Sequence, residues 1–184
     1  MSDPDHPRLL PTPVFADRRG AVLELHRAAF DPRDSIGPFV QDNLSHNAAG
    51  ALRGLHYQLR HPQGKLICVA HGEIWDVVLD IRRGSPSFGV WSSFLLRAAT
   101  GDRLWVPPGF AHGFCTTGGE AVVLYKCTDV WHPDDSFGVA WDDPALAIPW
   151  PIRAPILSDA DRRWPALHDV PADHLPTFTP RAPA

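Results

Sequence analysis

Arg53 and His56 stand three positions apart in the segment Leu52-Arg53-Gly54-Leu55-His56-Tyr57-Gln58. Histidine is the natural proton-transfer group near neutral pH, and a neighbouring cation stabilises an anion formed beside it. On a regular strand this spacing puts the two side chains on opposite faces, so they reach one pocket only if the chain bends at Gly54. The alternative is a surface strand with a salt-bridged arginine, and this segment alone leaves both interpretations open.

His112 lies in the segment Pro107-Pro108-Gly109-Phe110-Ala111-His112-Gly113-Phe114, directly after a short apolar run. A histidine placed between glycines and aromatics at the end of a strand is typical of a site at the mouth of a β-barrel. The spacing Pro-x-Gly-x-x-His also resembles the second half of the cupin motif, whose histidine often binds a metal. The first half of that motif would supply His-x-His and a glutamate, whereas this chain offers only His56 and the strand-opening Glu73. We therefore predict no metal here.

Tyr125 interrupts an otherwise apolar strand pattern, and Trp131 follows in a loop-like context. A tyrosine hydroxyl in a cavity is a plausible general acid, although packing across strands is the commoner role of a strand tyrosine. Most of the seven tryptophans must be core, but Trp131 is placed to stack on a planar ligand.

Short strands must position these residues, because 20 prolines and 14 glycines argue against long helices. The clearest pattern is Glu73 to Ile81, in which apolar side chains alternate with Asp76 and Asp80. Similar runs at 65–70, 90–96, 103–106 and 121–127 are separated by turn-forming clusters. Regularly spaced short strands predict an all-β sandwich or barrel.

Composition narrows the class of protein. The 184 residues are 44% hydrophobic, which predicts one domain with a substantial core. The net charge of −4 does not favour a nucleic-acid binder. No apolar run is long enough to cross a membrane, and the polar N-terminal stretch to Pro13 has no signal-peptide pattern, so we expect a cytoplasmic protein. The three cysteines lack the C-x-x-C spacing that is typical of zinc sites. Cys68 and Cys127 lie in apolar runs, so we predict that they are buried apolar residues.

Taken together, these segments resemble the dTDP-4-dehydrorhamnose 3,5-epimerases, cupin-fold enzymes that act on nucleotide sugars. The resemblance runs from about Val14 to Leu167. It includes the segments 15–20, 39–45, 52–58, 64–66, 76–82, 85–89, 108–114, 141–144 and 157–161. It implies a single domain, 1–184, with a cupin or jelly-roll β-barrel as its core at about 14–167. The resemblance also implies a few short peripheral helices and an extended C-terminal tail at 168–184.

The resemblance also implies roles for individual residues. His56 matches the family's catalytic base, Asp161 the aspartate that orients this base, and Tyr125 the proton donor. Arg53 and Lys65 match cations beside the sugar and its developing oxyanion. The substrate-binding positions that the resemblance implies are Arg19, Glu24, Gln41, Asn43, His112 and Trp131.

These roles imply a metal-independent and cofactor-free isomerase. It would invert C3 and C5 of dTDP-4-dehydro-6-deoxy-D-glucose through an enolate, giving dTDP-4-dehydro-L-rhamnose. Two alternatives remain open: a C3-only epimerase of a dTDP- or other NDP-4-keto-6-deoxyhexose, and a non-catalytic cupin that binds sugar nucleotides. The family usually forms homodimers, in which an N-terminal segment joins the partner. In that arrangement Arg19 or Glu24 would serve the neighbouring subunit's site.

A few positions depart from the family pattern. Trp131 stands where a tyrosine usually stacks on the thymine, Ala21-Val22 replace aromatics, Ser136 replaces a glutamate, and Ala160 stands where a lysine can occur. The proton-transfer set is intact, so these changes bear on the nucleotide and the sugar rather than on the chemistry.

Overall fold

The computed structural model describes residues 5–27 and 38–180, and β-strands dominate its regular structure. The first strands are Arg8–Leu10 (β1), Val14–Asp17 (β2), Gly20–Leu23 (β3), Gln41–Asn47 (β4), Leu52–Gln58 (β5) and Lys65–His71 (β6). The others are Glu73–Asp80 (β7), Trp91–Arg97 (β8), Arg103–Val106 (β9), Phe110–Thr116 (β10), Ala121–Cys127 (β11) and Ser136–Gly138 (β12). All five strands predicted from periodicity are present, and each of their bounds lies within one residue of the prediction.

The strands form two five-stranded sheets and a separate hairpin. One sheet has the order β1-β9-β6-β11-β4, the other has the order β12-β5-β10-β7-β8, and β2 pairs only with β3. Every pairing between named strands is antiparallel. Chain neighbours such as β9 and β10 belong to different sheets, so the chain crosses repeatedly between them. The predicted all-β architecture is therefore confirmed.

The main core lies between the two sheets, where β-branched and aromatic side chains from both inner faces meet. Its buried members are Ile67, Val69, Ile74, Val78, Leu96, Leu104, Val106, Phe110, Phe114, Ala121 and Val123. Strand β7 is buried on both faces, because Val77 and Leu79 pack on the opposite side of the same sheet. Asp76 and Asp80, predicted on the face away from the apolar residues, are almost completely buried as well.

The C-terminal segment covers the outer face of the second sheet. Leu167, Val170 and Leu175 join a second buried cluster with Leu55 and Leu79. The short helices in the described part of the chain are 3-10 turns at Pro133–Asp135, Leu167–Asp169 and Ala172–His174, as the prediction of short peripheral helices requires. The predicted extended tail is described as far as residue 180, and it is anchored by these buried side chains.

The hairpin of β2 and β3 stands apart from both sheets. Its apolar side chains face solvent, with Phe15 61% and Val22 68% exposed. All three cysteines are unpaired and buried, as predicted for Cys68 and Cys127. No helix among residues 5–27 and 38–180 has the length and apolar character to span a membrane.

Candidate active site

Two adjoining cavities share part of their lining. The outer cavity has a volume of about 370 Å³ and the inner one about 90 Å³. Both are lined by His56, Lys65 and Tyr125, which therefore lie where the two cavities meet. The outer cavity is also lined by Gln41, Asn43, Tyr57, Gln58, Gln63, Trp131 and Ser136. The inner cavity adds Ser45, Arg53, Ile67, His112, Gly113, Phe114 and Val123.

A local bend brings Arg53 and His56 to the same cavity, which favours the shared-pocket interpretation over that of a surface strand. Gly54 has a φ of +108°, and a Cβ atom there would lie 2.6 Å from both Gly113 Cα and the His112 carbonyl oxygen. Gly113 is equally confined, since a Cβ on it would lie 2.6 Å from the Arg53 carbonyl oxygen. The pairing of β5 with β10 shifts register here, between His112 and Phe114. These glycines permit a backbone approach that larger residues would prevent.

His56 forms the first of two histidine–aspartate pairs in the site. Its Nε2 atom is hydrogen-bonded to Asp161 Oδ1, from a loop 105 residues later in the chain. Asp161 is only 3% exposed. Burial by itself would raise the pKa of Asp161, but hydrogen bonds with His56, Ser158 and Trp164 outweigh it and hold this pKa below its usual value. The ionised carboxylate can therefore fix the tautomer of His56 and support its protonated form.

Trp164 supports this pair and was not among the predicted site residues. Its Nε1 atom donates to Asp161 Oδ1 at 3.3 Å, and its ring lies edge-on to the His56 ring. A Cβ atom on Gly138 would come within 2.6 Å of the Trp164 ring, so the glycine leaves room for the indole. Gly138 pairs with His56 on β5, which places the indole beside the histidine. The only signal in the sequence was a tryptophan three residues after Asp161.

His112 forms the second pair, with Asp76 on the neighbouring strand β7. His112 Nε2 lies 2.8 Å from Asp76 Oδ2, and the Asp76 side chain is fully buried. Burial raises the pKa of Asp76, although the charges of His112 and Lys65 oppose this shift. Asp76 was not predicted as a site residue. An acid whose strand is apolar on both faces is the signal that could have identified it.

Lys65 and Tyr125 are the other two ionisable side chains where the cavities meet. Removal from solvent lowers the pKa of the Lys65 ammonium, and Asp76 is among the negative groups that oppose this effect. Burial raises the pKa of the Tyr125 hydroxyl, so the phenol stays protonated at neutral pH and can donate a proton. Arg53 is oriented by a hydrogen bond of 2.6 Å from its Nε to Asn47 Oδ1.

The outer cavity has an amide-rich wall and one exposed indole. Gln41 Nε2 donates to Asn43 Oδ1 at 3.0 Å, and Gln41 Oε1 accepts from the Trp131 backbone N–H at 2.8 Å. The Trp131 residue is 58% exposed, so a ring face is accessible for stacking on a planar ligand.

Two predicted residues lie away from both cavities. Arg19 sits at the turn of the β2–β3 hairpin, where it is hydrogen-bonded to Asp17 and its side chain is 90% exposed. Glu24 follows the same hairpin and pairs with Arg27. The structure of one chain therefore places eight of the eleven predicted residues in the lining of the cavities. Asp161, the ninth, lies behind His56, and Arg19 and Glu24 lie outside.

The arrangement is suited to moving protons at carbon. A histidine with an ionised carboxylate partner can remove a proton, a protonated phenol can supply one, and two cations can stabilise the anion formed between these steps. All these groups line the same pair of cavities, except for Asp161 behind its histidine.

Comparison with known proteins gives a consistent set of matches. The family model described as dTDP-4-dehydrorhamnose 3,5-epimerase matches residues 7–169. A Pseudomonas aeruginosa dTDP-4-dehydrorhamnose 3,5-epimerase is 46% identical over 162 residues, covering 85% of this chain and 88% of that protein. A Neisseria gonorrhoeae protein of the same name is 47% identical over 84% of this chain, and this match spans about half of its length, 48%.

Solved structures agree in fold. The Legionella pneumophila dTDP-6-deoxy-D-glucose-3,5-epimerase, in complex with dTDP-4-keto-L-rhamnose, superposes with a TM-score of 0.91 at 40% identity, covering 95% of this chain and 94% of that one. A 3'-monoepimerase from Streptomyces bikiniensis, in complex with dTDP-quinovose, has a TM-score of 0.86 at 31% identity, covering 93% and 89%. The predicted cupin-type jelly-roll fold is confirmed.

Proposed function

Because the chain belongs to the dTDP-4-dehydrorhamnose 3,5-epimerase family, we propose that it epimerises dTDP-4-dehydro-6-deoxy-D-glucose at C3 and C5. The product is dTDP-4-dehydro-L-rhamnose. The observation that supports this reaction most directly is the meeting of His56, Lys65 and Tyr125 at the junction of the two cavities. A base, a cation and a phenolic acid are the groups that inversion next to a ketone requires.

In the first half of each inversion, His56 removes the proton next to the C4 ketone. The electron pair of the broken C–H bond forms the enolate, and its negative charge develops on the C4 oxygen. Lys65 and Arg53 stabilise that oxygen. Asp161 stabilises the imidazolium formed on His56, because its own pKa stays low despite burial.

In the second half, Tyr125 donates its hydroxyl proton to the carbon from the opposite face. The ketone is restored, and the configuration at that carbon is inverted. Exchange with water then returns a proton to Tyr125 and removes one from His56. No oxidant or reductant is consumed.

The nucleotide occupies the outer cavity in this proposal. Trp131 stacks on the thymine, while Gln41 and Asn43 supply amide groups for its polar edge. The sugar ring then reaches the junction of the cavities, and His112 and Arg53 contact it from the inner one.

The hairpin is the basis for a homodimer. Phe15 and Val22 expose apolar surface, and β4 stands at the edge of its sheet. Pairing with a second copy would cover both features. Arg19 and Glu24, which lie outside the cavities of their own chain, would then contact the nucleotide in the partner's site. Sedimentation of the wild-type chain should show a dimer and that of Phe15→Asp a monomer; a wild-type monomer would contradict the proposal.

The reaction is tested by NMR of dTDP-4-keto-6-deoxyglucose incubated with the chain in deuterated water. Deuterium should enter at both C3 and C5, and the L-rhamno product should form. Exchange at C3 alone would make the protein a monoepimerase, like the Streptomyces bikiniensis relative. Exchange at neither carbon would refute catalysis on this substrate. His168→Asn, which alters an exposed histidine away from the cavities, is the matched control for histidine variants of the site.

A further inference from the structure

A cluster of side chains that can ligate a metal lies in two loops at the edge of the outer cavity. It includes none of the groups proposed to transfer protons. Among residues 5–27 and 38–180, His61, Asp129 and His132 form the group whose ligand atoms all lie within 4.8 Å of one another. His61 follows β5, while Asp129 and His132 follow β11. We propose that these three side chains bind a divalent transition metal of the zinc class.

Two buried residues hold the histidines in place. Gln58 donates from Nε2 to the His61 carbonyl oxygen at 2.7 Å and accepts at Oε1 from the His132 backbone N–H at 2.7 Å. Asp135 accepts from the His61 backbone N–H at 2.8 Å, and its own N–H donates to the His132 carbonyl oxygen at 3.1 Å. The two loops are therefore fastened to each other through the backbones of both ligand residues, which preorganises the cluster.

The side chains also face one another. The imidazole rings of His61 and His132 are stacked, with centroids 3.8 Å apart. Asp129 Oδ1 accepts from the Val130 N–H, and its other oxygen, Oδ2, lies 3.7 Å from His61 Nδ1. Ligand atoms of a tetrahedral zinc ion lie roughly 3.4 Å apart, which is within the spread of this group. To bind one ion, the two stacked rings must tilt relative to each other so that a nitrogen of each points at it.

The chemistry of the ligands selects the class of metal. Two imidazoles and one carboxylate suit zinc and its transition-metal neighbours, whereas magnesium prefers oxygen ligands alone. Both His61 and Asp129 are partly open to solvent, which gives an ion access. Three protein ligands leave coordination positions for water or for a group of the bound substrate. The loop that supplies Asp129 and His132 also carries Trp131, so an ion here would brace one wall of the outer cavity.

The test is isothermal titration calorimetry of zinc chloride into the untagged full-length chain after removal of metals with a chelator. We expect one ion per chain, and an affinity at least about tenfold lower for His132→Ala and for Asp129→Asn. His168→Ala is the matched control, because His168 also lies beside an aspartate, at 3.3 Å from Asp169, but belongs to no three-ligand group among the described residues. Its affinity should equal that of the wild type.

Circular dichroism of each variant shows whether it has folded, and Asp129→Asn keeps the oxygen that accepts from Val130. Equal zinc affinity in wild type and His132→Ala, or displacement of zinc by a hundredfold excess of magnesium, would overturn the proposal. A loss in His168→Ala as large as in His132→Ala would overturn it too, since binding would then reflect surface histidines in general. These outcomes are independent of epimerase activity.

Discussion

The two histidine–aspartate pairs of the site start from adjacent strands but differ in their surroundings. His56 and His112 are direct partners in the β5–β10 pairing. The His56 side chain is 36% exposed, and its partner Asp161 comes from a loop. There Trp164 Nε1 also donates to Asp161 Oδ1, and the Asp161 backbone N–H donates to Ser158 Oγ. The His112 side chain is only 10% exposed, and Asp76 comes from the centre of a sheet. Within the described residues, no hydrogen bond reaches Asp76 Oδ1.

The pKa values of the two aspartates are therefore shifted in opposite directions. The pKa of Asp161 is lowered because its hydrogen bonds outweigh burial, whereas the pKa of Asp76 is raised because burial outweighs its partners. A stable carboxylate anion favours a histidine that must become positively charged during the reaction. A buried carboxylate whose ionisation is unfavourable gives a positively charged histidine less stabilisation. The comparison therefore supports the proposal that His56 removes the proton and that His112 contacts the substrate.

Replacing the two histidines should give the largest contrast. His56→Asn should lower the rate of deuterium entry at C3 by at least about 1,000-fold, since no other group would remove the proton. His112→Asn should lower it by only about tenfold. Both rates are measured by NMR in deuterated water. Similar losses in the two variants would contradict the division of roles.

Replacing the two aspartates should give a smaller contrast in the same direction. Asp161→Asn should lower the exchange rate by at least about 100-fold, because the amide cannot stabilise the imidazolium of His56. Asp76→Asn should lower it by about tenfold or less, through the orientation of His112. The pH profile of the rate separates the two roles. We expect the apparent pKa of the essential base to fall in Asp161→Asn and to stay unchanged in Asp76→Asn.

A tyrosine variant distinguishes the proton donor from His112. In Tyr125→Phe, loss of the phenol should leave removal of the first proton nearly intact and slow product formation by about 100-fold. Deuterium entry and product formation are followed in the same sample. If Tyr125→Phe forms product at the normal rate while His112→Asn does not, His112 is the donor and the comparison must be revised.

The smallest effect is expected in stability as a function of pH. The lowered pKa of Asp161 stabilises the fold above the unfolded value near 3.8, and this stabilisation disappears as pH falls through the folded value. The raised pKa of Asp76 has the opposite sign, so its favourable contribution is complete below about 3.8 and is lost as pH rises through its folded value.

Urea unfolding between pH 3 and pH 7 measures both trends. Relative to wild type, Asp161→Asn should be destabilised by on the order of 1 kcal/mol at neutral pH, and the deficit should shrink below about pH 4. Asp76→Asn should gain stability relative to wild type as pH rises. Parallel curves for the two variants would show that the two carboxylates are electrostatically equivalent.

Five of the twelve strands in the described part of the chain, and most of the site residues, could be predicted from the sequence. Short apolar runs between turn-forming clusters predicted the bounds of β9 and β11 correctly, because glycine and proline in these clusters interrupt regular strands. Local spacing required a bend at Gly54 only if Arg53 and His56 share a pocket, and spacing alone did not decide whether they do. The resemblance to a family then implied roles for His56, Tyr125 and Asp161, which local patterns left open.

Three features were decided by tertiary structure. Asp161 reaches His56 from 105 residues away, and Trp164 reaches both through space left by Gly138. The opposite pKa shifts of Asp76 and Asp161 depend on burial and on hydrogen-bond donors from other elements. No pattern along the chain therefore predicts these shifts. The sequence by itself determined which side chains alternate and where the backbone can bend. Packing determined which carboxylate lies beside which histidine, because that depends on contacts between segments far apart in the chain.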